Sequence, residues 1–356
     1  MQQPFRAFVS YSHDDQALFA ATRTALRNVG LDVTSDTELR PGPGFTEQIQ
    51  TSIAHAHVFV PILTPRSHER GWVHQEIGFA VALRVPYVPM CVGKLPDGMI
   101  AMSHAMNVEV DLSNLDREVR KVDFEDLINR AGSAEGPPAT VADEPEERSQ
   151  TIARYSTEAF SARGGCHVRG SGGFSSFSLP DEDPTHLKWK AAYGDRPRGP
   201  YAYRLLRDEI VSLKRHATKS GVSLVLDLSR NLDSYRGQGV TRTRLCLLRE
   251  FLNSIPASAE TVRIAVVGEH PADLELAIGD WVFARSRAAR IDTGVVHTTF
   301  TTHAPTISRR IAQFDARLNS LLKSQNVLPE DSHAHALSML DQRINELPPH
   351  PAWPCS

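Results

Sequence analysis

The sequence predicts two α/β domains. Short apolar segments alternate with amphipathic segments along most of the chain, and 356 residues are enough for two ordinary domains. A third observation places the boundary, because residues 131–150 are poor in apolar side chains and rich in Pro, Gly, Ala and Glu. We therefore expect an N-terminal domain over residues 1–130, a linker over 131–150, and a second α/β domain over 151–356 with a mobile C-terminal tail.

The first domain is predicted to be a parallel sheet with helices on both faces. The strand-like segments are short and apolar, and the helix-like segments repeat apolar residues every three or four positions. Strands are predicted at residues 7–11, 31–34, 57–63, 85–92 and 108–112. Helices are predicted at residues 16–29, 45–56, 72–83 and 119–129. The Pro- and Gly-rich residues 40–44 predict a loop.

The second domain shows a similar alternation, and its beginning fits two structures. Residues 166–179 alternate loosely and fit either a hairpin or a Gly-rich loop. Strands are predicted at residues 222–228, 262–267, 280–284 and 295–300. Helices are predicted at residues 200–219, 241–254, 305–323 and 333–346, before a mobile tail at 350–356.

The charge of the chain is close to balanced but unevenly distributed. The formal net charge is −3, so the whole chain lacks the excess of basic residues expected of a nucleic-acid-binding protein. Residues 151–356 carry 26 Lys and Arg against 21 Asp and Glu, a net charge of +5. The second domain is therefore the better candidate to bind an anionic ligand.

The sequence favours a cytoplasmic location. The N-terminus lacks the apolar core of a signal peptide, and no run of about 18 apolar residues occurs that would cross a membrane. The four cysteines are far apart and form no Cys-x-x-Cys pair, which suggests neither a disulfide framework nor a zinc site. We accordingly expect no membrane contact and no bound metal.

Three segments of the first domain occur in an order and at a spacing that resemble a known family. Residues 7–15 read Ala-Phe-Val-Ser-Tyr-Ser-His-Asp-Asp, the Pro-Gly loop follows at 40–44, and residues 64–80 contain Trp72-x-x-x-Glu76. Residues 4–130 thereby resemble a TIR domain, whose fold is a flavodoxin-like parallel sheet. The two-domain plan resembles bacterial TIR effectors of anti-phage systems such as Pycsar, CBASS and Thoeris.

This resemblance implies an enzyme that cleaves NAD+ at the nicotinamide–ribose bond, with Glu76 as its catalytic residue. Cleavage leaves positive charge on the ribose, which a carboxylate can stabilise. An unperturbed glutamate has a pKa of about 4.3 and is ionised at cellular pH, as this role needs. Nicotinamide leaves as a neutral base, so neither a strong acid nor a metal is required, and NAD+ is the substrate with no separate cofactor. The alternative for Glu76 is a solvated carboxylate in the first turn of a helix.

The resemblance also implies a set of substrate-binding residues. Ser10, Tyr11 and Ser12 follow the first strand and line the NAD+ pocket, since open α/β sheets bind ligands at that edge. Alternatively, the two serines only cap the next helix. Arg40 either contacts the pyrophosphate or is an exposed loop arginine. Trp72 is expected to pack at the start of its helix and shape the pocket, or to stack on a cofactor ring.

In the two-domain plan that resembles those effectors, the second domain has the place of the ligand sensor, although it lacks a recognisable cyclic-nucleotide-binding β-roll, SAVED or STING pattern. Arginines near predicted strand ends can hold phosphate groups, and Arg230, Arg242, Arg244 and Arg285 are the candidates for binding an effector. The resemblance implies a cyclic nucleotide that activates NAD+ depletion in abortive infection, with TIR domains that self-associate. Two alternatives stay open: a non-catalytic TIR scaffold for homotypic assembly, and a TIR enzyme that makes a cyclic ADP-ribose signal.

Overall fold

The chain divides into two units, each built on its own β-sheet. The N-terminal unit comprises Met1–Pro137 together with Thr301–Arg309, and the C-terminal unit comprises Pro138–Phe300 together with Arg310–Ser356. The structure is a computed structural model, and it describes residues 4–36, 45–65, 67, 71–92, 108–109, 111–172, 176–183, 186–193, 199–228, 237–256, 261–268, 273–290 and 295–353.

A five-stranded parallel sheet forms the centre of the N-terminal unit, in the order β2-β1-β3-β4-β5. Its strands are β1 (Arg6–Ser10), β2 (Asp32–Ser35), β3 (Val58–Leu63), β4 (Met90–Cys91) and β5 (Val108–Glu109). Its helices are α1 (Gln16–Asn28), α2 (Phe45–Ala54), α3 (Gly71–Ala82), α4 (Leu115–Val119) and α5 (Phe124–Ala134). The predicted alternation of strands and helices is confirmed.

The two faces of this sheet bury different clusters because successive strand residues point to opposite sides. Val58 and Val60 of β3 pack with Leu26 of α1 on one face. Phe59 packs on the other face, in a cluster with Ile53 of α2 and Ile77 of α3. Every residue of β3 is buried, as expected for a central strand of a parallel sheet. Packing on this second face fixes the positions of α2 and α3 against the sheet.

Two predictions for this unit need correction. Within the strand predicted over residues 85–92, the structure has β4 and an isolated parallel bridge between Tyr87 and Phe59 of β3. Pro86 and Pro89 have no N–H to donate, so the segment does not form one continuous strand. The helix predicted over residues 119–129 is two helices, α4 and α5. Asp123 accepts a hydrogen bond from the backbone N–H of Asp126 at 2.9 Å, so its side chain caps the start of a new helix.

A seven-stranded mixed sheet forms the centre of the C-terminal unit, in the order β6-β12-β11-β10-β7-β8-β9. Its strands are β6 (Thr140–Ala142), β7 (Val168–Gly172), β8 (Val222–Asp227), β9 (Val262–Val267), β10 (Asp273–Ile278), β11 (Val282–Arg290) and β12 (Val295–Thr301). Its helices are α6 (Pro145–Arg163), α7 (Leu187–Tyr193), α8 (Pro200–Ser220), α9 (Gln238–Ser254), α10 (Ala304–Ser324), of which residues 310–324 belong to this unit, and α11 (Ser332–Asn345). Strands β7, β8 and β9 are parallel, and β10 runs antiparallel to β7.

The segment predicted as a linker, residues 131–150, has regular structure. Its first residues continue α5, β6 pairs with β12, and α6 begins at Pro145. Proline at the first helical position followed by Glu146 and Glu147 is a helix start, since proline needs no N–H there and the helix dipole favours carboxylates. The Pro- and Glu-rich composition therefore reflects a helix N-terminus.

Three further predictions for the C-terminal unit also need correction. The strand expected at residues 280–284 is part of a hairpin of β10 and β11. The tail is not wholly mobile, because Trp353 packs against the core. The centroid of its ring lies 4.9 Å from Nζ of Lys188. Residues 354–356 lie outside the described residues. Cys246 is disulfide-bonded, a pairing that the wide spacing of the cysteines does not indicate.

The backbone at Gly136 lies close to the side chain of His303, so a substitution there tests the packing of the N-terminal unit. A Cβ at this position would lie 2.4 Å from Cγ of His303, and both ring nitrogens of that histidine are held, by Thr306 Oγ1 and by the carbonyl of Arg84. We expect Gly136→Ala to lower the free energy of unfolding of this unit by about 1–3 kcal/mol. Urea denaturation measures the change.

Gly78→Ala is the matched control for that experiment. Gly78 lies inside α3, and nothing lies within 4 Å of its added Cβ. Alanine is the better helix former, so this variant should be stabilised by about 0.5–1 kcal/mol. Equal effects of the two substitutions would contradict tight packing around Gly136.

Candidate active site

A cavity of about 360 Å³ lies in the N-terminal unit. It is bordered by the turn after β1, by the residue after β2, and by one face each of α2 and α3. Ligands of open parallel sheets bind at this edge, beyond the carboxyl ends of the strands, and the volume falls within the range of small-molecule sites. The lining residues are His13, Asp36, Thr46, Ile49, Gln50, Ile53, Trp72, Gln75, Glu76 and Phe79.

Glu76 is a buried carboxylate in the wall of this cavity. It lies in the second turn of α3 and is 8% exposed, so the alternative of a solvated carboxylate in a first turn is wrong. Within the described residues, its Oε2 has no hydrogen-bond partner. A buried polar atom without a partner carries a desolvation cost, which a bound ligand can relieve.

The surroundings of Glu76 disfavour its ionised form. Burial is the largest effect and raises the pKa of Glu76 to about 7. The Ser10 hydroxyl favours the ionised form of Glu76, and the negative charge of Asp36 disfavours it. The expectation of an unperturbed, fully ionised glutamate is therefore wrong. At neutral pH about half of the molecules carry the charge.

A pair of titratable side chains, His13 and Asp36, lines the same cavity as Glu76. Nε2 of His13 is 3.3 Å from Oδ2 of Asp36. The Asp36 side chain is 8% exposed, whereas the His13 side chain is 64% exposed. The imidazole also lies edge-on to Tyr11, 5.8 Å between ring centroids, and 6.4 Å from the ring of Trp72. The cavity thus holds two buried carboxylates, one of them paired with an exposed histidine.

Apolar side chains form the rest of the wall. Trp72 and Phe79 on α3 lie four residues before and three after Glu76, so all three project from the same face of the helix. Ile49 and Ile53 project from α2 with the same spacing. Trp72 is half-buried and packs against the cluster beneath the cavity while lining it, which matches the expected pocket-shaping role. These rings suit a flat aromatic ligand.

The other predicted substrate-binding residues have different positions. Tyr11 is fully buried and stacks on Phe19 at 4.1 Å, and its hydroxyl accepts a hydrogen bond from Gln16. Ser12 accepts a hydrogen bond from the backbone N–H of Asp14 and caps the turn, as its alternative role predicted. Neither residue lines the cavity. Arg40 lies outside the described residues, so its contact with a substrate stays a prediction.

Sequence reasoning missed His13 and the inner face of α2, and gave Asp36 no chemical role. The signal for Asp36 was available, since it directly follows β2 at the edge where ligands bind. Thr46 and Gln50 gave no such signal, because polar residues on an amphipathic helix ordinarily face solvent. Their place in the wall depends on how α2 packs against α3.

The arginines proposed to bind an effector in the C-terminal unit contact groups of the same chain. Arg242 donates to the carbonyls of Ile344 and Leu347 at the end of α11. Arg244 donates to Ser178 Oγ at 3.0 Å. Arg285 lies 3.5 Å from a carboxylate oxygen of Asp273 and 3.7 Å from one of Glu275. Arg230 lies outside the described residues, and an effector-binding role for the four arginines stays a prediction.

The described residues contain neither a cluster of metal ligands nor a membrane-spanning helix. No group of three or more His, Cys, Asp or Glu side chains is arranged to hold a metal ion in this part of the chain. None of the helices in the described ranges combines the length and the apolar character needed to span a bilayer.

Comparison with known proteins agrees with the geometry. The family model for the TIR domain matches residues 7–127 of this chain. No curated protein matches the chain. The match begins within β1 and ends within α5, and it includes every strand and helix that borders the cavity. The N-terminal unit therefore contains a TIR domain, and the candidate active site lies within it.

Proposed function

We propose that the TIR domain cleaves the nicotinamide–ribose bond of NAD+ with Glu76 as the catalytic carboxylate. TIR domains include NAD+-cleaving enzymes, and the observation that carries the proposal for this chain is the state of Glu76. It is buried in the wall of a cavity lined by aromatic rings, and one of its oxygens has no partner within the described residues. A carboxylate in such a place has no evident structural use and is suited to stabilise a developing cation.

The proposed reaction is a hydrolysis through a ribose cation. The electron pair of the C–N bond moves to the nicotinamide nitrogen, so nicotinamide leaves as a neutral base. Positive charge develops on the ribose, and the ionised Glu76 stabilises it more strongly than it would in bulk water, because the buried site screens charge poorly. Water then adds its oxygen to C1′ and releases a proton, which gives ADP-ribose. Trp72 and Phe79 provide rings against which the nicotinamide can stack.

Regulation by the C-terminal unit completes the proposal. TIR domains commonly self-associate, and a nucleotide bound by the C-terminal unit would activate cleavage by favouring the assembled state. In this proposal the chain depletes NAD+ in an anti-phage response. Such an enzyme needs a gate, since unregulated NAD+ loss would kill the host cell. A net positive charge on residues 151–356 favours an anionic activator.

The test is NAD+ turnover by the full chain, alone and with a panel of cyclic mono- and dinucleotides. Chromatography separates nicotinamide, ADP-ribose and cyclic ADP-ribose isomers. Turnover that depends on one nucleotide and is lost in Glu76→Ala would support both the enzyme and its gate. A cyclic product would replace hydrolysis by the signalling reaction. No turnover under any condition, combined with assembly that Glu76→Ala leaves unchanged, would favour the scaffold.

The pH dependence of cleavage follows from the ionisation of Glu76. Only the ionised carboxylate stabilises the cation, so we expect kcat/KM to rise with pH around a midpoint near 7, the pKa of the free enzyme's Glu76. Ser10→Ala should move the midpoint to higher pH, since the Ser10 hydroxyl favours the ionised form. A kcat/KM that is constant from about pH 5 to 8 would show that another group controls the reaction.

A further inference from the structure

Another cavity, a groove of about 690 Å³, lies between α6 and α8 of the C-terminal unit. Two contacts hold these helices side by side. Nη1 of Arg148 lies 3.1 Å from Oε1 of Glu209, and the carbonyl of Ser156 accepts a hydrogen bond from Nε2 of His216 at 2.7 Å. Nδ1 of His216 accepts from the backbone N–H of Cys166, so Nε2 carries the proton. The walls are therefore fixed, and the volume is that of a small-molecule site.

The hydroxyl of Ser156 lies in this groove without a partner. Ser156 lines the groove and is 0% exposed, and its Oγ has no hydrogen-bond partner within the described residues. A helical serine or threonine can donate to the carbonyl one turn back, as Thr157 donates to Ala153 and Ser161 to Thr157. The buried Ser156 hydroxyl carries a desolvation cost that an acceptor atom of a ligand would remove.

Two arginines of the groove present donors for an anion. Cζ of Arg154 lies 4.6 Å from the centroid of the Tyr155 ring, and Cζ of Arg215 lies 3.5 Å from that of Phe160. Stacking uses the flat face of a guanidinium and leaves its in-plane N–H groups for a phosphate. In the described part of the chain, neither guanidinium has a hydrogen bond or an ion pair. Nζ of Lys219, 5.2 Å from the Phe160 ring, adds a third positive charge.

The rest of the lining suits the other parts of a nucleotide. Glu158 and Asp208 bring carboxylates into the same groove, and carboxylates accept hydrogen bonds from sugar hydroxyls or from the amino groups of a base. Ala153 and Val211 add apolar surface, and Val211 is 45% exposed. Inorganic phosphate would be repelled by the carboxylates and would leave the apolar surface uncovered. A phosphate joined to a sugar and a flat base would use all of these groups.

We propose that the groove between α6 and α8 binds a nucleoside phosphate. Arg154 from α6 and Arg215 from α8 bind the phosphate, and the hydroxyl of Ser156 donates a hydrogen bond to a ligand oxygen. Glu158 and Asp208 accept hydrogen bonds from the sugar or the base. The identification of this ligand with the activator of NAD+ cleavage rests on the proposed function, whereas binding in the groove does not.

The test measures binding to the full chain by isothermal titration calorimetry. The probes are the cyclic and linear monophosphates of adenosine, guanosine, cytidine and uridine, compared with the parent nucleosides and inorganic phosphate. Arg215→Gln and Ser156→Ala are the groove variants. Arg204→Gln is the control for the first, since Arg204 is exposed on the same helix. Ser149→Ala is the control for the second, since the Ser149 hydroxyl on α6 is equally buried and without a partner among the described residues. Neither control residue lines the groove.

We expect at least one nucleotide to bind more tightly than its nucleoside and than inorganic phosphate. Arg215→Gln should weaken that binding about ten- to a hundredfold, the cost of a hydrogen bond to a charged group, and Ser156→Ala about two- to tenfold. The control variants should leave Kd within about twofold. Absence of nucleotide binding, equal binding of the nucleoside, or equal losses in groove and control variants would overturn the proposal.

Two comparisons separate this result from loss of fold and from the proposed function. Ser156→Ala and Ser149→Ala each remove a desolvated hydroxyl, so neither should lower Tm, and a weaker Kd in Ser156→Ala then reports the site. A chain that binds a nucleotide in the groove and cleaves no NAD+ contradicts the proposed function and supports this inference. Cleavage activated by a nucleotide whose binding is indifferent to Arg215→Gln and Ser156→Ala overturns this inference alone.

Discussion

If the proposed NAD+ cleavage is correct, replacing Glu76 by glutamine is expected to slow it by about a hundred- to a thousandfold, the usual cost of losing one preorganised electrostatic group at a reacting centre. Glutamine keeps the shape of the side chain and removes its charge. The ribose cation then forms beside a neutral amide. The loss should therefore appear in kcat, because the charge acts on the transition state rather than on the bound substrate.

The matched control for that measurement is Glu47→Gln. Glu47 lies on α2 at the border of the site, is exposed, and does not line the cavity. Its replacement removes the same charge from the same domain and should leave kcat within about twofold. Equal losses in the two variants would show that net charge matters rather than Glu76. An unchanged kcat in Glu76→Gln would remove this residue from the mechanism.

The same Glu76→Gln substitution should stabilise the N-terminal unit at alkaline pH. Burial raises the pKa of Glu76 to about 7, so between pH 4.5 and 7 the folded state binds more protons than the unfolded state. The stability from this group is therefore fully present below about pH 4.5 and is lost as pH rises through 7. The shift corresponds to about 3 kcal/mol at pH 8. Glutamine, which never ionises, avoids that loss.

Thermal unfolding at two pH values measures this gain. For a unit of this size, about 3 kcal/mol raises Tm by roughly 10 °C at pH 8, and the difference between variant and wild type should vanish near pH 4. Glu47→Gln again serves as the control and should show no such pH-dependent gain. A Tm at pH 8 equal to or below that of the wild type would contradict the burial cost. A stabilised but inactive variant is the pattern expected when a residue is kept for function.

Helical spacing was enough to place Glu76, Trp72 and Phe79 together. Residues four or three apart share one face of a helix, so any helix over this segment brings the three side chains to one side. The helical spacing did not show that this face of α3 is buried by another helix. Its burial depends on α2, whose Ile49 and Ile53 lie across the cavity, and helix-to-helix packing is a non-local property. The charge state of Glu76 depends on that burial, which explains why the unperturbed value was wrong.

The neighbours of Glu76 also come from distant parts of the sequence, so local patterns do not identify them. His13 and Asp36 are separated by 23 positions, and Asp36 and Glu76 by 40. His13 and Asp36 meet because β1 and β2 are adjacent and parallel, which brings their carboxyl ends to one edge. In the C-terminal unit, β6 pairs with β12, a strand that begins more than 150 residues later. Composition alone made that region look like a linker.

The sequence by itself determined the alternation of strands and helices, the TIR resemblance of residues 4–130, and the position of the candidate catalytic glutamate. These depend on short-range properties: apolar periodicity, Pro and Gly at turns, and the spacing of a few side chains. The tertiary structure alone decided that Glu76 is buried, that Asp36 and His13 share its cavity, and that residues 301–309 belong to the N-terminal unit. Those facts arise from contacts between distant parts of the chain, and the ionisation of a carboxylate depends on the water and charge around it.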